Sequence, residues 1–242
     1  MALVHQGRPL ALKDLAREAA MAPAKAHPYL VSFIKLGLVE QETVSGRYGL
    51  GPLALQLGLI SLQQYEPVRL ATPRIEELAA QLGHTVAIAV WGNRGPTIVR
   101  VAEAPSPVHI SMRHGTVMSL RGTASGRLFA AYLPREEILA ALAAEAQTQP
   151  SKAMPTVDAE LAAVMAAARA DGLASAHDGV VLGVSAMAAP VFDDRGRMVL
   201  SLTAIGPSGN FDLRLSGALA TTLKRAGADL SRQLGWRDPA KA

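Results

Sequence analysis

The chain has 242 residues, half of them hydrophobic, and a formal net charge of +4. Such a length favours two domains, and the hydrophobic content is sufficient for each to have a core. The absence of cysteine excludes disulfides, thiolate metal sites and a cysteine nucleophile, and agrees with a cytoplasmic location. We expect no membrane partner, because no apolar stretch is long enough to span a bilayer and no secretory signal is visible.

The first fifty residues have the pattern of a winged helix. Apolar residues at helical spacing begin at Leu12, pause at 20–23 and resume over 24–36, which predicts two short helices around a tight turn. Gly37 ends the second helix, and residues 38–41 and 47–50 then read as a β-hairpin. Any helical hairpin followed by a β-turn would show the same periodicity, so the pattern alone leaves both interpretations open. Charge does not decide between them, because residues 1–60 carry six basic and four acidic side chains, a net charge of only +2.

Residues 53–64 form an uncharged apolar segment. It is too short to cross a bilayer and too apolar for a solvated linker. A connecting helix packed against its copy in a dimer would explain it, and burial within its own subunit is the alternative. After a break at Pro67, an amphipathic helix is predicted over 68–82.

The rest of the chain mixes hairpins with helices. Strands are predicted at 85–91, 97–101, 108–113, 186–192 and 198–205. Helices are predicted at 127–133, 134–146, 157–170 and 213–234. Because the order lacks a βαβ rhythm, we expect the α+β class.

No catalytic motif is visible in the sequence. Nucleophile elbows, zinc-protease motifs, Walker loops and dinucleotide fingerprints are all missing. Asp193 and Asp194 fall in a hairpin tip, where turn geometry explains them. We therefore predict a protein that is not an enzyme and that has no cofactor and no metal site. Small and apolar residues facing a pocket would suit the sensing of a small organic molecule.

Four segments of the sequence resemble the IclR family of bacterial transcription regulators. They are LKDLAREAAMAPAKAHPYLVSFIKLGLVEQ at 12–41, SGRYGLGPLALQLG at 45–58, RGTASGRLFAAYL at 121–133 and GVSAMAAPVFDDRGRMVLSLTAIGP at 183–207. The resemblance implies a winged helix-turn-helix at 1–51, a linker helix at 52–66 and a GAF-like effector-binding domain at 67–242. It also implies a homodimer or tetramer that binds a pseudo-palindromic operator in double-stranded DNA and responds to a small organic acid.

The same resemblance indicates which residues face DNA. A recognition helix at 23–36 would enter the major groove, and the wing would reach the phosphate backbone. The candidates are Lys25, His27, Tyr29 and Ser32 in the helix and Arg47 in the wing.

Two departures from the family pattern predict weakened DNA binding. The chain begins with only the tail of the family's usual first helix, so we expect that helix to be truncated. Pro28 stands where the family usually carries a phosphate-contacting arginine, and we expect it to bend the helix without breaking it. The alternative is a ligand-binding module with lost DNA binding.

An effector pocket is also implied by the resemblance. Its residues would be Ile110, Met118, Ala124, Ser125, Ala176, Val184, Ala186, Thr203 and Ile205. Relatives that bind small oxo-acids have polar or acidic groups at the positions of Ala176, Ala186 and Ile205, so this pocket is expected to be drier and roomier. It predicts an apolar or aromatic carboxylate held by Ser125, Thr203 and the amides that open the Ala124 helix. The alternative is that the alanines simply pack the core.

Overall fold

The computed structural model describes residues 3, 8–64, 66–104, 112–148 and 156–237. The chain divides into two compact units, Met1–Tyr65 and Glu66–Ala242. Within the described ranges, no helix combines the length and hydropathy that a membrane span requires.

The first unit is a helix-turn-helix followed by a small hairpin. Its elements are α1 (Leu12–Glu18), α2 (Pro23–Lys35), β1 (Val39–Gln41), β2 (Tyr48–Leu50) and α3 (Pro52–Gln64). Pro23 opens α2, where its missing N–H leaves no bond unmade. Leu10 exchanges backbone hydrogen bonds of 2.9 and 2.8 Å with Tyr48, which ties the chain before α1 to the hairpin. The winged-helix prediction is thereby confirmed.

Six buried side chains form the core of this unit. They are Leu3, Leu10, Leu15, Leu30, Val39 and Tyr48. Leu3 is helical, but most of the segment in which a truncated first helix was expected lies outside the described residues.

The described residues of the second unit form a five-stranded antiparallel sheet in the order β4-β3-β7-β6-β5. The strands are β3 (Thr85–Gly92), β4 (Gly95–Ala102), β5 (Ala174–His177), β6 (Val184–Phe192) and β7 (Met198–Pro207). The helices are α4 (Glu66–Leu82), α5 (Ala124–Tyr132), α6 (Arg135–Thr148), α7 (Ala159–Asp171) and α8 (Ala218–Gln233), with a 3-10 turn at Ser208–Asn210. The unit is α+β, as predicted.

Alternate residues of the strands face opposite layers, as the two-residue period of a β-strand requires. On β3, Val86 and Ile88 pack with α4 and α8, whereas Ala87 and Ala89 pack with α5. The face toward α5 is rich in alanine, so the helix layer there has room beside it for a cavity.

Several predicted boundaries were wrong for local reasons. Helix α5 begins at Ala124 and not at 127, because the Thr123 side chain caps it by accepting from the Gly126 N–H at 3.0 Å. The segment 122–126 therefore opens the helix. Helix α4 begins at Glu66, before Pro67, since proline is tolerated in the first turn.

Two further predictions need correction. Helix α8 begins at Ala218 and not at 213, because Asp212 and Arg214 pair in a turn before it. Strand β5 was not predicted at all. The expected strand at 108–113 falls on residues outside the described ranges, apart from 112 and 113, which are not in a strand.

Candidate functional site

A cavity of about 600 Å³ lies beside the N-terminus of α5 in the second unit. The eight described members of the predicted pocket all line it. They are Met118, Ala124, Ser125, Ala176, Val184, Ala186, Thr203 and Ile205. Ile110, the ninth, lies outside the described residues.

Strand register explains why these residues converge. Ala176 on β5 pairs with Ala186 on β6, which pairs in turn with Ile205 on β7. The three therefore form a row across the sheet, and Thr203 lies two residues along β7 on the same face. Because two of the three side chains in the row are methyl groups, the sheet leaves open space at this point.

A pair of buried hydroxyl groups forms part of the polar lining of the cavity. Ser125 Oγ and Thr203 Oγ1 lie 2.8 Å apart and form a hydrogen bond. Both residues are almost completely buried. Ala124 and Ser125 are also the first two residues of α5, so their N–H groups have no acceptor inside the helix. The cavity thus combines two hydroxyls with the positive end of a helix.

Charged side chains at the cavity were missed by sequence reasoning, and they are Arg113, Arg121 and Glu145. Arg121 pairs with both carboxylate oxygens of Asp158 at 3.0 Å, and this contact lowers the pKa of Asp158 below its usual value. Glu145 accepts from the Leu120 N–H at 3.2 Å. Arg113 is exposed. Among the charged groups at the cavity, Arg113 is therefore best placed to approach a solute.

A loop between β5 and β6 was also missed. Gly179, Val180 and Val181 line the cavity, although no periodicity marks them. The available signal was an apolar triplet, Val180 to Leu182, enclosed by two glycines.

The five predicted DNA-binding residues are all exposed on the first unit. Ala26 and Leu30 are the buried residues of α2 and define the side that faces the core. By helical geometry Lys25 and Ser32 lie on the opposite side, whereas His27 and Tyr29 lie on the two flanks. Arg47 is exposed beside β2. The structure thus places two of the four helix candidates together on the outward side.

Helix α2 continues unbroken through Pro28, as expected. Pro28 lacks the N–H that would bond the Ala24 carbonyl. Ser32 Oγ donates to the Pro28 carbonyl at 3.1 Å, a local bond that helices tolerate but that often bends them. Pro28 lies on the same outward side as Lys25 and Ser32, so it displaces a side chain that could contact DNA.

Comparison with known proteins identifies the family. The model for the IclR helix-turn-helix domain matches residues 2–43, and the model for the C-terminal domain of bacterial transcriptional regulator IclR matches residues 60–232. The chain belongs to the IclR family of DNA-binding transcription regulators.

Three relatives illustrate the similarity. The glycerol operon regulatory protein of Streptomyces griseus is 31% identical over 232 residues, covering 94% of this chain and 90% of the relative. The crystal structure of Pseudomonas aeruginosa HmgR is 33% identical with a TM-score of 0.64, covering 97% of this chain and 94% of that one. An IclR homologue from Microbacterium hydrocarbonoxydans, complexed with 4-hydroxybenzoate, is 20% identical with a TM-score of 0.68, covering 93% and 91%. The last likeness shows the fold alone.

Proposed function

We propose that this regulator is controlled by an apolar or aromatic carboxylate that binds in the cavity beside α5. The observation that carries the proposal is the composition of the cavity wall. The row of Ala176, Ala186 and Ile205 leaves an aliphatic surface. Such a surface favours an apolar solute, since burial of its area contributes about 25 cal/mol per Å².

The polar groups favour a carboxylate as the second part of the effector. The first N–H groups of α5 and the one hydroxyl proton that the Ser125–Thr203 hydrogen bond leaves free supply neutral donors, and the helix end stabilises negative charge. Arg113 adds a positive charge at the cavity. Glu145 opposes an anion, but its carboxylate already accepts from the Leu120 N–H.

The volume suits a ligand of this kind. A cavity of about 600 Å³ falls in the usual range for small-molecule sites. Glyoxylate or pyruvate would fill only a small part of it. That the Microbacterium hydrocarbonoxydans homologue was crystallised with 4-hydroxybenzoate makes this compound a suitable first probe.

Calorimetry on the full chain tests the ligand class. We expect the dissociation constant of 4-hydroxybenzoate to be at least tenfold lower than those of pyruvate, glyoxylate and glycerol. Tight binding of pyruvate or glyoxylate with no binding of any aromatic acid would overturn the proposal.

We also propose that α3 packs against its copy in a homodimer. The helix carries no charge, and its exposed side chains include Leu55, Leu57, Leu59 and Ile60, at 67, 52, 47 and 41%. Contiguous apolar surface of this kind marks an interaction site. Light scattering should give a dimer or a tetramer for the wild type, and Leu55→Glu with Leu59→Glu should shift the mass toward the monomer. An unchanged mass would remove α3 from the interface.

These assignments give each segment of the chain a separate role. Residues 1–51 would bind the operator through Lys25, Ser32 and Arg47, with His27 and Tyr29 at the edges of the contact. Residues 52–66 would connect them to the sensing domain at 67–242. An effector could alter DNA binding only if it binds one arrangement of the dimer better than another.

A further inference from the structure

The loop of residues 178–183 between β5 and β6 forms one wall of the cavity. Gly179, Val180 and Val181 line it, and the two valines are 64 and 58% exposed. Exposed aliphatic side chains beside a cavity are surface that a bound molecule can cover. The conformation of this loop therefore decides how much apolar wall the cavity offers.

Both ends of the loop are held by backbone hydrogen bonds. The Asp178 N–H donates to the Val184 carbonyl at 3.1 Å, and the Ser208 N–H donates to the Gly183 carbonyl at 2.8 Å. Asp178 adopts a φ of 48° and Gly183 a φ of 78°. Positive φ is uncommon for a residue with a side chain, although aspartate adopts it more readily than most.

The side chain of Asp178 closes the base of the loop. Its Oδ1 accepts from the Gly183 N–H at 2.9 Å and from the Ser208 hydroxyl at 2.7 Å. The hydrogen bond from Ser208 is the main reason that the pKa of Asp178 lies below its usual value. The carboxylate is thus ionised at neutral pH and acts only as an acceptor.

The network extends to two further side chains. Ser208 Oγ lies 2.9 Å from Ser185 Oγ, which lies 3.0 Å from His177 Nδ1. His177 Nε2 lies 3.6 Å from Asp178 Oδ2, beyond hydrogen-bond distance. Each hydroxyl has a single proton. Because Ser208 donates its proton to Asp178, Ser185 must donate to Ser208, and His177 Nδ1 must donate to Ser185. The hydrogen bonds therefore run in one direction, from His177 through Ser185 and Ser208 to Asp178.

A close approach constrains the start of the loop at Gly179. A Cβ on Gly179 would lie 2.1 Å from the carbonyl oxygen of Gly122, in the turn before α5. Only glycine allows this contact. The wall is thus held at its base by these hydrogen bonds and at Gly179 by the turn before α5.

We propose that Asp178 is a positioning residue for effector binding, which holds residues 179–181 as a preformed apolar wall. The inference rests on the proposed function of the cavity as the effector site. Without the carboxylate, the loop would sample other conformations, and the apparent affinity would fall by the fraction of time that the wall is in place. Val180 and Val181 would contact the effector, whereas Asp178 would act through them.

Hydrogen exchange and calorimetry on the full chain test the inference. In Asp178→Ala, we expect exchange of the amides at 179–183 to rise at least tenfold and the dissociation constant for 4-hydroxybenzoate to rise about tenfold. Asp178→Asn keeps an oxygen that can accept from Gly183 and Ser208, so this variant should retain most of the wild-type protection from hydrogen exchange. A positioning role also predicts that Val181→Asn weakens binding without raising exchange.

Asp193 supplies the matched control. It accepts from the N–H groups of Arg195 and Arg197 at 3.0 and 2.9 Å in the tip of the β6–β7 hairpin, and it is not among the described residues that line the cavity. Asp193→Ala should leave both the loop exchange and the affinity unchanged.

The outcomes separate the two proposals. Unchanged exchange in Asp178→Ala overturns the positioning role, and so does raised exchange with unchanged affinity. If the wild type binds none of the acids, the proposed effector class fails, and so does the effector-positioning role that rests on it. The exchange measurement then still decides whether Asp178 holds the loop. A thermal melt close to that of the wild type confirms that each variant is folded. If Asp178→Ala is not folded, Ser208→Ala, which removes the hydroxyl that donates to Asp178, takes its place and should raise exchange in the same loop.

Discussion

The two units of the molecule place their candidate functional residues differently, on an outer surface in the first unit and around a cavity in the second. The first unit is held by a core of six side chains, each 3 to 8% exposed, and its candidate contacts all lie on the outer surface. In the second unit, one wall of the cavity is a sheet whose central residues, such as Ile88 and Leu202, are fully buried. A small domain buries a smaller share of its surface and has less stability to lose. The DNA-binding unit should therefore fail first when its core is altered, whereas the cavity should respond mainly to changes in its own wall.

Truncation of a core residue in the first unit should give the largest effect. Leu30 is buried on the inner side of α2, and Leu30→Ala should cost about 2–4 kcal/mol of the stability of that unit. We expect loss of operator binding in a gel shift, with binding of 4-hydroxybenzoate retained in calorimetry. Leu36→Ala, at a position 60% exposed just after the same helix, serves as the control and should change neither. Loss of acid binding in Leu30→Ala would show that the units do not fail separately.

A charge placed in the cavity should have the next largest effect. Ala186 is half-buried in the cavity wall, so Ala186→Asp should leave the sheet folded while placing a carboxylate against the effector. We expect the affinity for 4-hydroxybenzoate to fall about 100-fold, because an unpaired charge would be desolvated there. Ala162→Asp, on the exposed side of α7, should leave the affinity unchanged. Equal affinity in Ala186→Asp would place the ligand elsewhere.

Substitution of Pro28 in the first unit should have a smaller effect, and it should raise binding affinity instead of lowering it. Pro28→Arg restores a helix N–H and adds a positive charge on the outward side, so we expect operator affinity to rise about tenfold and its salt dependence to steepen. Pro28→Ala restores the N–H without the charge and separates the two contributions. If a gel shift of Pro28→Arg matches that of the wild type, Pro28 does not limit DNA binding. If the wild type and both variants fail to bind operator, the chain is a ligand-binding module.

The smallest effect concerns the acid stability of the second unit. Hydrogen bonds from the Arg214 side chain, and then from its N–H, lower the pKa of Asp212 from 3.8 to about 2. A lowered pKa stabilises the fold above pH 4, and this contribution is lost as the pH falls to about 2. Asp212→Asn should therefore melt below the wild type at pH 7, and the gap should close across that window. Asp194→Asn, on the exposed hairpin tip, should show no such gap, and a gap that persists at pH 2 would contradict the assignment.

Periodicity in the sequence predicted most of the fold, because helices and strands repeat their apolar residues at different spacings. The sheet side of the cavity was predicted by the resemblance to the IclR family. Periodicity missed β5, since Ala174–His177 has little strand propensity and forms through its pairing with β6. It missed the start of α5, although Thr123 is a recognisable cap. Arg113, Glu145 and the loop at 179–181 could not be placed, because their approach to the cavity depends on contacts between distant segments and not on local periodicity.

Coupling between the cavity and the DNA-binding unit tests most directly whether effector binding controls operator affinity. An operator selected from a random DNA pool can be titrated with the full chain, with and without saturating 4-hydroxybenzoate. We predict that the acid changes operator affinity at least fivefold and that the operator changes the affinity for the acid by the same factor, since linkage is reciprocal. Tight binding of both partners with no mutual effect would contradict such control.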